Sequence, residues 1–185
     1  MNNYCKKHNE FHQCMEIGNK GIEELLPLLE QKSFQGRFTF TNKGTLSEFL
    51  QKTAGDIIFN CKNGRVWAIE VKTEAEKRTP NFFLETWSNL SRFTPGWMIT
   101  LQSDILWYYF QREHLLYSIP FAKLKQWAFI KRRIYEYPEK RQNKWAQLND
   151  TWGRCVPIEI IGNEVGFSVY QIHTQNKQGS FENHP

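Results

Sequence analysis

The 185-residue chain has no run approaching the ~20 apolar residues that a bilayer-spanning helix requires. Its opening segment, Met1-Asn-Asn-Tyr-Cys-Lys-Lys-His, lacks the apolar middle of a secretory signal. Four cysteines (Cys5, Cys14, Cys61, Cys155) are too few and too scattered for a disulfide framework. These absences predict a cytoplasmic protein with reduced thiols and no membrane partner. There is also no Gly-rich phosphate loop, no Ser nucleophile elbow and no Rossmann fingerprint, which removes the enzyme classes built on those motifs. Internal repeats and low-complexity linkers are missing too. Cys5, His8, His12 and Cys14 are zinc-type ligands, but His12 and Cys14 are one residue apart, too tight for the usual paired spacing. The leader therefore reads as polar rather than as a metal site.

What is present is a core. Hydrophobic residues make up 40% of the chain and aromatic residues 15%, with seven Trp, enough for one packed domain. The expected organisation is a polar leader over 1–17, a single domain over 18–173 and a disordered tail over 174–185. The charge is uneven. Residues 120–145 hold Lys123, Lys125, Lys131, Arg132, Arg133, Lys140, Arg141 and Lys144 against only Glu136 and Glu139. That local excess of +6 exceeds the formal +5 of the whole chain, so the remainder is close to neutral. Phe121, Trp127, Phe129, Tyr135, Tyr137 and Trp145 are interleaved with these cations. The combination suits a nucleic-acid backbone and stacked bases, although a basic solvent face of an amphipathic helix reads the same way.

Along the chain, Ile22, Leu25, Leu26 and Leu29 recur at helical spacing over 18–31, with Pro27 either delaying or kinking that helix. Arg37-Phe-Thr-Phe-Thr predicts a strand, and Thr45 with Glu48 resembles a capping box opening a short helix through Leu50. Asp56-Ile-Ile-Phe-Asn and Val66-Trp-Ala-Ile-Glu-Val-Lys flank the turn residues Asn63-Gly64 as a hairpin. Phe82–Trp87 predicts a further strand. Trp97-Met-Ile-Thr, Asp104–Phe110 and the strand opening at His114 follow as β-prone segments. Helical periodicity returns from Phe121 to about Arg133. Pro157-Ile-Glu-Ile-Ile and Val165–Tyr170 predict a second hairpin across Gly162-Asn163. Trp67, Trp87, Trp97 and Trp107 each lie within an apolar run and read as core. The fold class expected is α/β (α+β), a mixed sheet flanked by helices with an extra C-terminal hairpin.

Three charged residues of the first hairpin need a reason. Glu70 and Lys72 share a strand face because side chains alternate with period two. Pairing Ile57 with Ile69 and Phe59 with Trp67 requires an odd loop such as Lys62-Asn63-Gly64, with Gly64 left-handed. Asp56 then falls opposite Glu70; lengthening the loop by two residues sorts the faces identically but sets Asp56 opposite Lys72. Acidic residues on opposed positions have Cβ atoms about 5 Å apart, and their like charges repel. A raised pKa or a bound cation relieves that repulsion. A hard divalent ion on Asp56 and Glu70, with Lys72 beside it, suits the activation of water and the stabilisation of charge on a phosphoryl oxygen. A glycosidase acid pair is the weaker alternative, given the adjacent Lys and the small size.

At Gly55-Asp56-Ile-Ile-Phe and Ile69-Glu70-Val71-Lys72 the chain resembles the PD-(D/E)XK nuclease superfamily, over roughly residues 18–110. The resemblance implies a restriction-endonuclease-like αβββαβ core, Asp56 and Glu70 as ligands of Mg²⁺ (or Mn²⁺), and Lys72 as the catalytic lysine. It also implies a helical acid, Glu23 or Glu24; spacing does not choose between them, and Glu23 is weakly preferred. The core helix expected after the lysine strand has no counterpart at Phe82–Trp87. The segments Thr79–Trp87, Gly96-Trp-Met and Asp104–Phe110 are similar to a phage and mobile-element branch. By that likeness Glu85 is an accessory acid, and Gln102 or Asp104 faces substrate. The implied function is DNA phosphodiester hydrolysis, junction-resolving or restriction-type, with a homodimer as one arrangement. The alternative is a non-catalytic module of the same fold that binds nucleic acid or a partner protein.

Overall fold

The computed structural model describes residues 3–31, 37–40, 54–60, 63–142 and 150–173, with α1 side chains described from Met15 to Leu29. The expected Thr45–Leu50 helix, Lys144, the 174–185 tail and the side chains of Cys5, His8, His12 and Cys14 lie outside that set. The chain is mixed α+β, built in layers on a mixed sheet. Helix α1 (Asn3–Gln31) is followed by strands β1 (Arg37–Phe40), β2 (Ile57–Asn60) and β3 (Val66–Glu74). Next come β4 (Asn81–Asn89), a short 3₁₀ turn over Leu90–Arg92, β5 (Thr94–Pro95) and α2 (Trp97–Thr100). Then follow β6 (Ile105–Phe110), β7 (Leu115–Pro120), α3 (Phe121–Ala128) and α4 (Lys131–Glu136). The described chain closes with β8 (Lys140–Arg141), β9 (Trp152–Pro157), α5 (Ile158–Glu164) and β10 (Ser168–Gln171).

Among the described residues, six strands form the main sheet in the order β1-β2-β3-β6-β7-β10, parallel only between β3 and β6. A parallel step needs a long crossover. Here residues 75–104 supply it with the β4–β5 hairpin and the single turn of α2 rather than with a long helix. Strands β5-β4-β9-β8 make a second sheet. Two apolar clusters lie on opposite faces of the main sheet. Leu25 and Leu29 of α1 pack on Ile57, Phe59, Ile69, Val71, Trp107 and Tyr109 on one face. Phe82, Leu84, Met98, Phe121, Leu124 and Trp127 pack on Leu106, Tyr108 and Phe110 on the other. Covered on both sides, β6 reads as an unbroken apolar run.

The register is the expected one. Ile57 faces Ile69 and Phe59 faces Trp67, and Gly64 is left-handed (φ +80°). Gly55 (φ +116°) lies so close to β3 that an added Cβ would fall 2.7 Å from the Ile69 carbonyl oxygen. That contact sets the start of β2 against β3. Asp104 locks the other side of β3: its carboxylate accepts from the Ala68 N–H (2.8 Å), and its own N–H donates to the Ala68 carbonyl (2.9 Å).

Several expectations are corrected. Helix α1 begins at Asn3, well before Gly18, and carries Pro27 inside it. Trp97–Thr100 is helical, not extended. The segment 121–133 is two helices: Arg154 donates to the Ala128 carbonyl at the end of α3, and extended Ile130 (ψ 135°) starts α4 afresh. The extra C-terminal hairpin does not form. Ile158, Ile161 and Val165 are spaced three and four apart and buried together, so 158–164 is helix α5. β10 pairs with β7 instead, and β9, unanticipated, pairs with β4. His114, expected to open a strand, sits in the preceding turn with positive φ (50°), its ring nitrogen 3.2 Å from the Tyr109 hydroxyl.

Two glycine substitutions separate backbone strain from steric collision. Gly64→Ala, with open space around its Cβ, should cost about 1–2 kcal/mol for the left-handed backbone alone. Gly55→Ala adds a backbone collision and should cost clearly more; urea denaturation of both variants checks the ranking.

Candidate active-site cleft

Strand β3 alternates between its two covers. Ile69, Val71 and Thr73 turn to α1, and Glu70, Lys72 and Glu74 turn to the second layer. Gly21 of α1 sits directly over Thr73, where a side chain would collide. The inward face of β3 is therefore charged although it is buried. Glu70 is only 4% exposed and ion-paired to the ammonium of Lys72, whose side chain is 32% exposed. Asp56, just ahead of β2, joins them in the cleft lining, and its carboxylate accepts from the Val71 N–H (2.9 Å). Glu85 approaches from β4. Together these line an open cleft of about 530 Å³, walled by Ser88, Thr94, Pro95, Trp97, Thr100 and Leu101. The Lys72 Nζ lies 5.6 Å from the Trp97 ring centroid. A smaller pocket continues past Lys72 to Glu74, Phe83 and Tyr108.

The electrostatics follow from burial. Desolvation drives the Glu70 carboxyl from an ordinary 4.5 up to about 7; Asp56 and Glu85 add to the rise, while Lys72 opposes it. Glu85 is also raised by burial, against the pull of Lys72 and of the Trp97 backbone N–H. For Lys72, burial works to lower the pKa, but the Glu70 carboxylate, its hydrogen bond, and then Asp56 and Glu85 outweigh it and hold the ammonium above its usual value. Three carboxylates thus surround one ammonium. Among the described residues no group of three or more His, Cys, Asp or Glu side chains is arranged to hold a metal ion. The ligand chemistry nonetheless fits a hard cation, since Mg²⁺ needs only one or two carboxylates from the protein.

The other expected site residues lie elsewhere. Glu24 faces the opposite side of the sheet, where it accepts from the Tyr109 hydroxyl (2.6 Å) and from Gln111 (3.3 Å). Glu23 is exposed on the same helix. Neither lines the cleft. Gln102 is exposed outside it, and the Asp104 carboxylate is engaged with the β3 backbone. Of the basic segment, Lys125 donates to the Ile99 and Leu101 carbonyls (2.8 and 2.9 Å), closing the end of α2. Arg132 and Arg133 pair with Glu136, Arg133 also with Glu164, and Arg141 with Asp150. Lys123, Lys131 and Lys140 are exposed and form no ion pair among the described residues. Of the Trp stripe, Trp107 is core, whereas Trp97 walls the cleft. Glu74 was legible as the next member of the 70-72-74 alternation; nothing in the local pattern marked Trp97, which Gly96 and the α2 turn bring in.

No helix among the described residues is long and apolar enough to cross a membrane. Cys155 is a free, exposed thiol. Compared with models of protein families, with curated proteins and with solved structures, the chain gives no match.

Because the folded pKa of Glu70 is raised, its contribution to stability is complete below about pH 4.5 and is lost as pH climbs through 7. The shift corresponds to about 3 kcal/mol. Glu70→Gln should therefore gain about that much relative to wild type between pH 4.5 and pH 8. A stability difference that stays flat over this range, measured by chemical denaturation, contradicts the burial-driven shift.

Proposed function

We propose that the chain is a divalent-metal-dependent nuclease that hydrolyses phosphodiester bonds in DNA. The observation that carries this reading is the convergence of Asp56, Glu70, Lys72 and Glu85 on one open cleft. A site with three carboxylates and one ammonium is short of positive charge, and a dication with an anionic phosphate fits it better than either alone. The order of α1, β1, β2 and β3 followed by a parallel β6 supports a restriction-endonuclease-like core in which the β4–β5 hairpin and α2 stand in for the helix before the last strand.

In this reading Asp56 and Glu70 supply the oxygen ligands. The bound Mg²⁺ or Mn²⁺ supplies Lewis acidity toward the phosphoryl oxygen and lowers the pKa of water. Lys72 balances charge developing on the phosphate or orients the attacking water. Glu85, in the same cleft lining, adds a negative charge that attracts the Lys72 ammonium. Among the seven described cations of the basic segment, Lys123, Lys131 and Lys140 form no ion pair, so binding should show a shallower salt dependence than the sequence excess of +6 suggests.

Plasmid, single-stranded and branched DNA incubated with Mg²⁺ or Mn²⁺ test the reading. Wild type should cleave, and Lys72→Ala and Asp56→Ala should each lose at least a hundredfold in rate. Tight binding without metal-dependent cleavage supports instead a non-catalytic nuclease-fold module. At pH 8 the metal alone should raise the wild-type Tm, because it binds the ionised carboxylates of the folded state, and should leave Glu70→Gln nearly unmoved.

A further inference from the structure

We infer that Phe93 is a base-stacking element at the rim of this cleft and directs it toward single-stranded or locally unpaired DNA. The inference rests on the nuclease reading and adds the form of the substrate. Phe93 is 79% exposed. Its backbone is left-handed (φ 52°), a conformation that residues with a side chain rarely adopt. A ring held in water on such a backbone invites a partner.

The ring is not on a loose loop. It sits at the tip of the β4–β5 hairpin, and that tip is pinned from several directions. The Leu90 N–H donates to the Asp150 carbonyl (2.8 Å), and the Ser91 N–H donates to the Asp150 carboxylate (3.0 Å). The Asn89 side chain accepts from the Arg92 N–H (3.0 Å). Asp150 is itself held by the Trp152 indole (2.9 Å) and by Arg141 (3.0 Å).

The placement points to the ligand. Ser88, Thr94 and Pro95 of the same hairpin line the cleft, and Phe93 directly precedes Thr94 in the chain. Its neighbour Arg92 is exposed beside it. A phosphodiester over Asp56, Glu70 and Lys72 would bring an adjacent base to an aromatic ring with a guanidinium next to it, the pairing that single-strand binders use. In a duplex the base faces are already stacked. A rigid ring therefore finds a partner only at single strands, ends, flaps or junctions.

The test separates binding from chemistry by using Ca²⁺ in place of Mg²⁺, with fluorescence anisotropy on a labelled single strand and on the matching duplex. Phe93→Ala should weaken single-strand binding about ten- to hundredfold and leave duplex binding little changed. Phe93→Trp should restore it. Phe93→Gly, which removes both ring and strained backbone, should bind as weakly as Phe93→Ala while its Tm stays level or rises, the reverse of what a merely structural ring would give. Single-strand affinity unchanged in Phe93→Ala, or a loss equal on both DNA forms, overturns the stacking role. If wild type still cleaves in Mg²⁺ in that case, the nuclease reading stands alone. If wild type neither binds nor cleaves either form, both fall.

Discussion

The buried ion pair on the inward face of β3 is the constraint around which the molecule is arranged. A central strand covered on both sides would ordinarily be apolar throughout. Here every second residue from Glu70 to Glu74 is charged, and the second layer closes over that face. An unpaired buried carboxylate is expensive, and pairing offsets only part of its desolvation. Glu70 therefore keeps a raised pKa even with Lys72 bound to it.

The second layer makes the site a cleft instead of an exposed sheet face. The β4–β5 hairpin and α2 carry Glu85 and Trp97 over Lys72, and Lys125 secures the end of α2 through two backbone carbonyls. The basic segment thus has a structural share that its charge alone conceals. Four of its cations serve α2, Glu136, Glu164 and Asp150, and the local excess of positive charge is smaller in space than along the chain.

The first hairpin was legible because three local signals agreed: a turn glycine, apolar pairs that fix the faces, and a Gly-Asp opening. Each depends on residues within about fifteen positions of one another. The C-terminal region misled for the opposite reason. Ile158, Ile160 and Ile161 are β-branched and flank a Gly-Asn turn signal, yet helix α5 wins because Ile158, Ile161 and Val165 share one buried face. Propensity yields there to packing, as it does at Trp97–Thr100. Glu24 shows the same limit: helical spacing left both acids available, and because α1 covers the Ile69–Val71 face while the cleft lies on the other, Glu24 meets Tyr109 instead.

The sequence by itself determined the facial sorting that pairs Ile57 with Ile69 and Phe59 with Trp67 and sets Glu70 and Lys72 on one face, since period-two alternation and the turn leave few choices. Tertiary structure alone decided which face of β3 would be closed, that Glu85 and Trp97 would close it, and that Glu24, Gln102 and Asp104 would stand outside. Those outcomes depend on how distant segments pack, and no local pattern encodes the layer that a side chain will meet.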